Sequence, residues 1–354
     1  MYFAMLNMVT RRRLALFRQN RRGFWSAIML LGLLAFTLPA EFVANDRPLI
    51  VSYDHHLYFP VLRDYPETVF GGDFASFADY GDAYLRRRIE ANGWLVWPVV
   101  AYSYASPVTD LAAPAPAPPS ARNWLGTDDQ QRDVLAWLIY SLRTALLFGI
   151  CVAALCSIIG VLAGGIEGFF GGWVDLGLQR LTEIWVGLPV LFLLIVMSSI
   201  VTPTFWNLFL LVSVFTWMPL AQLVRAEMLR VRSLDYVRAA KALGLGPAAL
   251  MFRHMLPNAL VATFTYLPFE LTGAIATLAA LDLIGYGMPP GAPSLGTLLN
   301  EGRTNLQAPW LGLTGFFTLA IVLTLMTFLG EAVRDAFDPR RQAGHARPAE
   351  AALP

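Results

Sequence analysis

The sequence is nearly without lysine. Lys241 is the only one in 354 residues, and it stands between Ala240 and Ala242. A phosphate-binding Walker A loop ends in Gly-Lys-Ser or Gly-Lys-Thr, so this chain does not hold ATP through such a loop. Charge of either sign is also scarce. Only 14% of residues are Asp, Glu, Lys or Arg, against roughly 25% in an average soluble protein, too few to clothe an ordinary globular surface. The two cysteines, Cys151 and Cys156, lie in one apolar run. That argues against a disulfide framework and for small buried packing residues. No Gly-x-Ser-x-Gly elbow, His-Glu-x-x-His helix or dinucleotide fingerprint occurs. His55-His56 has no Cys or His neighbour at ligand spacing. The expectation is therefore no catalytic residue, no metal site and no cofactor in this chain.

What the chain has in abundance is apolar length. Hydrophobic residues make up 56%, and six membrane spans of about 20 residues need only about a third of such a chain. Runs long enough fall at 24–40, 135–163, 178–201, 205–223, 258–281 and 311–331. The reading is an all-α polytopic membrane protein with six transmembrane helices. Residues 1–23 form a basic start: RRRLALFRQNRR, at 11–22, holds six arginines and no acid. A cleaved signal peptide is the alternative, with Leu38-Pro39-Ala40 as its end. The long leading segment and five further spans favour a retained anchor. By the positive-inside rule these arginines put the amino terminus in the cytoplasm. Because they abut a span, topology accounts for them without nucleic acid.

Residues 41–133 are different in kind. They hold 13 acidic and 7 basic residues, many aromatics and the stretch PAPAPP at 114–119. The pattern predicts a folded insert on the outer face of an inner membrane, between the first two spans, ending in a stiff proline-rich linker. The core with the other five spans then runs over 134–333, and a tail over 334–354. Counting from the amino terminus, the 224–257 loop and the carboxyl terminus both fall inside. Charge agrees, with six basic and two acidic residues in that loop and Arg334, Arg340 and Arg341 after the last span.

The inner loop has unusual content. SLDYVRAAKALGLGPAALMFRHMLPN, from Ser233 to Asn258, has alanine and leucine on both sides of Gly244-Leu245-Gly246-Pro247. Ser233 is the expected cap of a first short helix, with Asp235 near its positive end. Gly244 and Gly246 end it, Pro247 suits the first turn of a second helix, and Pro257 marks the return to the membrane. Two short helices at an angle on the inner face make a docking surface. Arg238 and Lys241, three apart, share a side of the first helix, where they can meet acidic groups of a partner or anionic lipid headgroups.

These residues resemble the EAA loop of ATP-binding-cassette importer permeases. Ala239-Ala240 are followed after three residues by Gly244, and nine more lead to His254-Met255-Leu256-Pro257. Arg238 stands where the general pattern has glutamate and His254 where it has isoleucine, departures that resemble the dipeptide and oligopeptide branch. The likeness covers most of the chain. It includes WLGTDDQQRDVLAWLIYSLRTALLFG (Trp124 to Gly149), GYGMPPGAPSLGTLLNEGR (Gly285 to Arg303), APWLGL (Ala308 to Leu313) and GEAVRDAFDPRR (Gly330 to Arg341). NDRPLIVSYDHHLYFP, FGGDF and NGWLVWP in the insert are similar to the Yej-type oligopeptide permeases.

The resemblance implies a type I importer permease core that moves short peptides inward. Implied partners are a second permease, two ATPase subunits or a fused pair, and a periplasmic peptide-binding protein, with ATP and Mg2+ bound by the ATPases. The residues it implies for coupling are Asp235, Tyr236, Arg238, Ala239, Ala240, Lys241, Leu243, Gly244, Pro247, His254, Leu256 and Pro257. Two carboxylates are candidates from physics alone. Glu270 lies mid-span after Pro268, where a carboxylate is costly and faces protein or water. It is read either as lining the peptide path or as an interhelix hydrogen-bonding group. Glu183 and Arg143, within or near spans, are read first as packing groups, with Glu183 kept as a second candidate for the path. The competing classes are a transporter driven by an ion gradient, which would show paired broken repeats, and an anchored periplasmic interaction module.

Overall fold

The computed structural model describes residues 2–109, 111 and 113–337. In chain order, α1 spans Tyr2–Gln19, α2 Arg21–Thr37 and α3 Ala40–Val43. The insert contributes β1 (Ile50–Tyr53), β2 (His56–Tyr58), α4 (Ala83–Asn92) and β3 (Gly93–Val96). Then come α5 (Val134–Phe170), α6 (Gly172–Val186), α7 (Val190–Ile200), α8 (Phe205–Thr216), α9 (Met218–Arg232) and α10 (Asp235–Ala242). The last are α11 (Pro247–Leu283), α12 (Leu295–Thr304) and α13 (Pro309–Phe337). Arg340 and Arg341 lie outside the described residues.

Among the described residues, α5, α11 and α13 are each long and apolar enough to cross a membrane, and the bent pairs α6–α7 and α8–α9 bring the number to five if each is one span. The run expected at 24–40 is the 17-residue α2. Two expected spans are therefore not straight rods. The 178–201 run bends by 77° around Gly187-Leu188-Pro189, because proline has no N–H to give and clashes with the carbonyl four residues back. The 205–223 run bends by 41° at Trp217 and continues as α9 to Arg232, past the point where the inner loop was expected to begin.

The expectation of an all-α chain needs a correction in the insert. It folds around a three-stranded antiparallel sheet of order β2-β1-β3, with Val51, Phe70, Tyr80, Leu85 and Ile89 buried at its centre. Tyr53 pairs with His56, so Asp54-His55 form a two-residue turn with both φ values positive, the geometry that suits strand twist. The histidine pair thus serves a hairpin. PAPAPP is not a free spacer either. Ala117 N–H donates to Thr127 Oγ1 and Thr127 N–H donates to the Ala117 carbonyl, both at 2.9 Å.

The chain divides into two compact units. One joins the described residues of 1–31, 147–281 and 320 onward, the other residues 32–146 and 282–319. The first holds an apolar cluster of Leu220, Val224, Met228, Val231, Val237, Ala240, Leu250, Met251, Met255 and Ala259. Gly164 and Gly168 of α5 leave no room for a Cβ beside Ala221 and Met228 of α9, so backbone lies on backbone as in other membrane helix pairs.

Candidate functional site

The helix α10 is eight residues long, too short to be stable by itself. It is held because Val237 and Ala240 drop into the apolar cluster beneath it, while Tyr236, Arg238, Ala239, Lys241 and Leu243 remain exposed. Asp235 sits in its first turn and Lys241 in its last, each at the end its charge favours. Ser233 does not cap it. Its hydroxyl donates to the Arg230 carbonyl at 2.7 Å and closes α9, leaving Leu234 as the residue before α10. A serine at a helix junction satisfies either neighbour, and here the C-terminal carbonyl of α9 wins.

Gly244 follows with φ of +83°. A side chain is strained in that left-handed region, and nothing lies within 4 Å of where its Cβ would be. The glycine is required by the backbone, and the space above it is open. Pro247 then opens α11 at its first turn. The second short helix expected here does not end at Pro257. The helix runs on unbroken to Leu283, and the turn before the proline, Leu250–Met255, widens to π geometry. Widening relieves the clash that a proline ring makes with the preceding turn.

That wide turn is held by side chains. Tyr236 Oη donates to the His254 carbonyl at 3.2 Å, and Asn258 Nδ2 donates to Tyr236 Oη at 2.7 Å and to the His254 carbonyl at 3.1 Å. One tyrosine on α10 is thus bonded to the π turn of α11 through His254 and to Asn258 just beyond it. Leu256 is half-buried and Pro257 exposed. The coupling residues expected from the motif come together on α10, its turn and the start of α11.

Three residues important to this region were not singled out from the sequence. Arg225 of α9 donates through Nη2 to Asp175 Oδ2 of α6 at 2.8 Å, and its Nε lies 3.8 Å from Glu167 Oε2 of α5. One guanidinium therefore ties three helices together at the base of α10's support. Their only signal was two carboxylates flanking the Gly171-Gly172 turn.

The two path candidates part company. Glu183 is half-exposed and ion-pairs with Arg180 at 2.5 Å. Glu270 is 6% exposed; among the described residues no donor reaches either carboxylate oxygen at full hydrogen-bonding geometry, and the Cys156 thiol of α5 lies beside it. Arg143 packs as expected, donating to Glu41 Oε1 at 2.7 Å and lying over the Tyr140 ring at 4.9 Å.

In the other unit, three of the separate motif stretches meet. Arg132 Nε donates to Asp128 Oδ2 at 2.5 Å and Nη2 to Glu301 Oε1 at 3.2 Å. Its guanidinium lies over the Trp137 ring at 3.9 Å. Trp137 Nε1 donates to the Ser294 carbonyl and Trp310 Nε1 to the Thr127 carbonyl, each at 3.2 Å. Burial pushes the Glu301 carboxyl up to about 8, with Asp128 adding to the rise and Arg132 opposing it. Burial likewise raises Asp128 against the bonds it accepts from Arg132.

The family model described as "Binding-protein-dependent transport system inner membrane component" matches residues 137–343. The inner membrane ABC transporter permease protein YejE of Escherichia coli (strain K12) is 51% identical over 336 residues, 95% of this chain and 98% of that protein. The peptidoglycan transport system permease protein YejE of Agrobacterium fabrum is 48% identical over 356 residues, 94% of this chain and 93% of that protein. The dipeptide transport system permease protein DppC of Haemophilus influenzae is 37% identical over 218 residues, 61% of this chain and 74% of that protein.

Proposed function

The chain belongs to the binding-protein-dependent transport system inner membrane components, the permease subunits of ABC transporters, and from that premise we propose how it works and what it carries. It imports short peptides across a bacterial inner membrane, as one half of a pore completed by a second permease. A periplasmic peptide-binding protein delivers the cargo. Two ATPase subunits, or a fused pair, bind ATP and Mg2+ and power the cycle. Both termini lie in the cytoplasm, α2 is the first of six spans, and residues 41–133 face the periplasm. That insert helps receive the binding protein and the partner permease.

The observation that carries this reading is the form of the 233–257 segment. A short helix exposes Arg238, Ala239 and Lys241 while rooting Val237 and Ala240 in a core shared with two longer helices. An ATPase groove closing on that helix displaces it as a unit. The displacement passes through the Val237–Met251–Met255 packing and the Tyr236 bonds into α11. Since α11 is continuous to Leu283, a shift at its foot tilts the whole span. Alternating access follows when the two permeases rock together. Ala239 is small because the groove wall comes close, and the bare surface of Gly244 admits a partner backbone. His254 and Leu256 act from beneath, as part of the support.

Glu270 belongs to the translocation path in this proposal, meeting a peptide amine once the spans have moved apart, with Glu183 as the weaker candidate. A carboxylate buried in a membrane is costly, and movement of the spans offers this one a charged partner. Uptake by the Glu270→Gln transporter is expected to fall most for peptides with a free amino terminus. Normal uptake across peptide charge types would remove Glu270 from the path.

The coupling reading is tested by bulky substitutions at Ala239 and Gly244 in the assembled transporter. Loss of ATPase copurification and of peptide uptake is expected. Retention of both with wild-type values would overturn it.

A further inference from the structure

The helices α1 and α2 carry a basic stripe that their packing leaves free. One residue separates them, and the turn persists across it: Asn20 N–H donates to the Phe17 carbonyl at 3.2 Å and Phe24 N–H to the Asn20 carbonyl at 2.9 Å. Side chains seven and eleven residues apart therefore return to nearly the same side. One side is taken. The Arg13 guanidinium lies over the Phe337 ring at 4.5 Å, Asn20 Nδ2 donates to Asp335 at 3.5 Å, and Gly23 abuts Ala332 too closely for a side chain. The opposite side carries Arg11, Arg18 and Arg22, flanked by Arg21, all four exposed. None of these four has an ion pair among the described residues, and the chain contains no acidic residue before Glu41.

The same side continues down α2 as Trp25 and Met29, 60% and 51% exposed. An exposed apolar side of a membrane helix faces acyl chains, and tryptophan favours the boundary between chains and headgroups. Arg18, Arg21 and Arg22 lie within two turns of Trp25, so they stand at headgroup level. A negative leaflet attracts each such arginine by roughly fivefold in binding. Arginine forks also match phosphate oxygens.

We propose that Arg18, Arg21 and Arg22, with Arg11 beyond them, form a binding surface for the phosphate headgroups of anionic phospholipid in the leaflet next to Trp25. The inference rests on α2 lying in the membrane and not on the coupling scheme. Its consequence is functional: by fixing α1–α2 to the lipid, the stripe steadies the end of α13 against which α1 packs.

The test uses the whole transporter with its partner subunits, placed in nanodiscs of phosphatidylcholine with or without phosphatidylglycerol. Bound lipid is counted after extraction and thermal stability is followed. The wild type is expected to enrich phosphatidylglycerol and to melt higher in its presence. R18Q/R21Q/R22Q is expected to lose roughly a hundredfold of that preference, while R18K/R21K/R22K keeps most of it. Lysine restores charge and topology signal alike, so failure of the glutamine variant to insert does not end the experiment. Wild-type protein without preference for phosphatidylglycerol would overturn the proposal, whatever the variants do. So would stabilisation by free inorganic phosphate equal to that by the lipid. Loss of ATPase subunits with lipid preference intact would assign the stripe to a protein instead, and likewise overturn it.

Discussion

The α10 surface and the Arg132 cluster are built on opposite plans. Around α10 the charged side chains Arg238 and Lys241 point outward, and the helix is held by two apolar residues and one tyrosine. Around Arg132 the charges point inward: Asp128, Arg132 and Glu301 are largely buried, and two tryptophans bind backbone carbonyls beside them. On the docking reading proposed above, α10 keeps its hydrogen-bonding capacity open for a partner and its own anchorage apolar. A surface meant to hold one chain together satisfies its charges internally. The difference also predicts how each fails, the first in coupling and the second in stability.

The largest effect is expected at the buried cluster. Arg132→Ala leaves buried Asp128 without its counter-charge and Glu301 without its donor, and breaking such a buried pair costs about 3–5 kcal/mol. Thermal or denaturant unfolding of the purified transporter should register it, and a change within error would dissolve the contrast with α10. Next comes Gly244→Val. A branched residue at φ of +83° costs about 1–2 kcal/mol of local strain and fills the open space above the turn. Peptide uptake should drop at least tenfold while stability falls by no more than that local strain; equal uptake would show that nothing docks there.

Tyr236→Phe is smaller, since it removes about 1 kcal/mol of hydrogen bonding and keeps the ring. ATP hydrolysis is expected to persist while peptide moved per ATP falls severalfold. If that ratio is unchanged, the tyrosine is a surface ornament of α10 and not part of its linkage to α11. The finest effect is a slope. Glu301 holds its proton to about pH 8 in the folded protein but only to about 4.3 when unfolded. Its contribution is therefore complete below about pH 4 and declines as pH rises toward 8. Glu301→Gln should flatten the fall of Tm with pH over that interval, and an identical slope in both proteins would remove Glu301 from the buried set.

Much of the α10 region was legible in advance because its determinants are local. Glycine at 244, proline at 247 and alanine at 239 and 240 act through backbone preferences that travel with the residue. The turn at Gly244 and the start of a helix at Pro247 were expected where they occur. The errors there were also local in origin. Ser233 offered a cap to two helices, and Pro257 read as a break because a widened turn leaves no mark in composition. The insert's aromatic richness announced a folded body but not a sheet, since strands of three or four residues are too short for alternation to show.

The sequence by itself determined where the apolar runs lie, the family, and the spacing of the 239–257 motif, since hydropathy, charge and glycine all act over a few residues. Only the tertiary structure decided which charges meet. Arg132 and Glu301 lie 169 positions apart, and Arg225 and Asp175 lie 50 apart. No local rule pairs them, because a guanidinium is worth burying only where another helix brings a carboxylate to it. The tie from Tyr236 to Asn258 crosses 22 residues and a π turn. It is possible because the packing of Val237 and Ala240 holds α10 against the foot of α11.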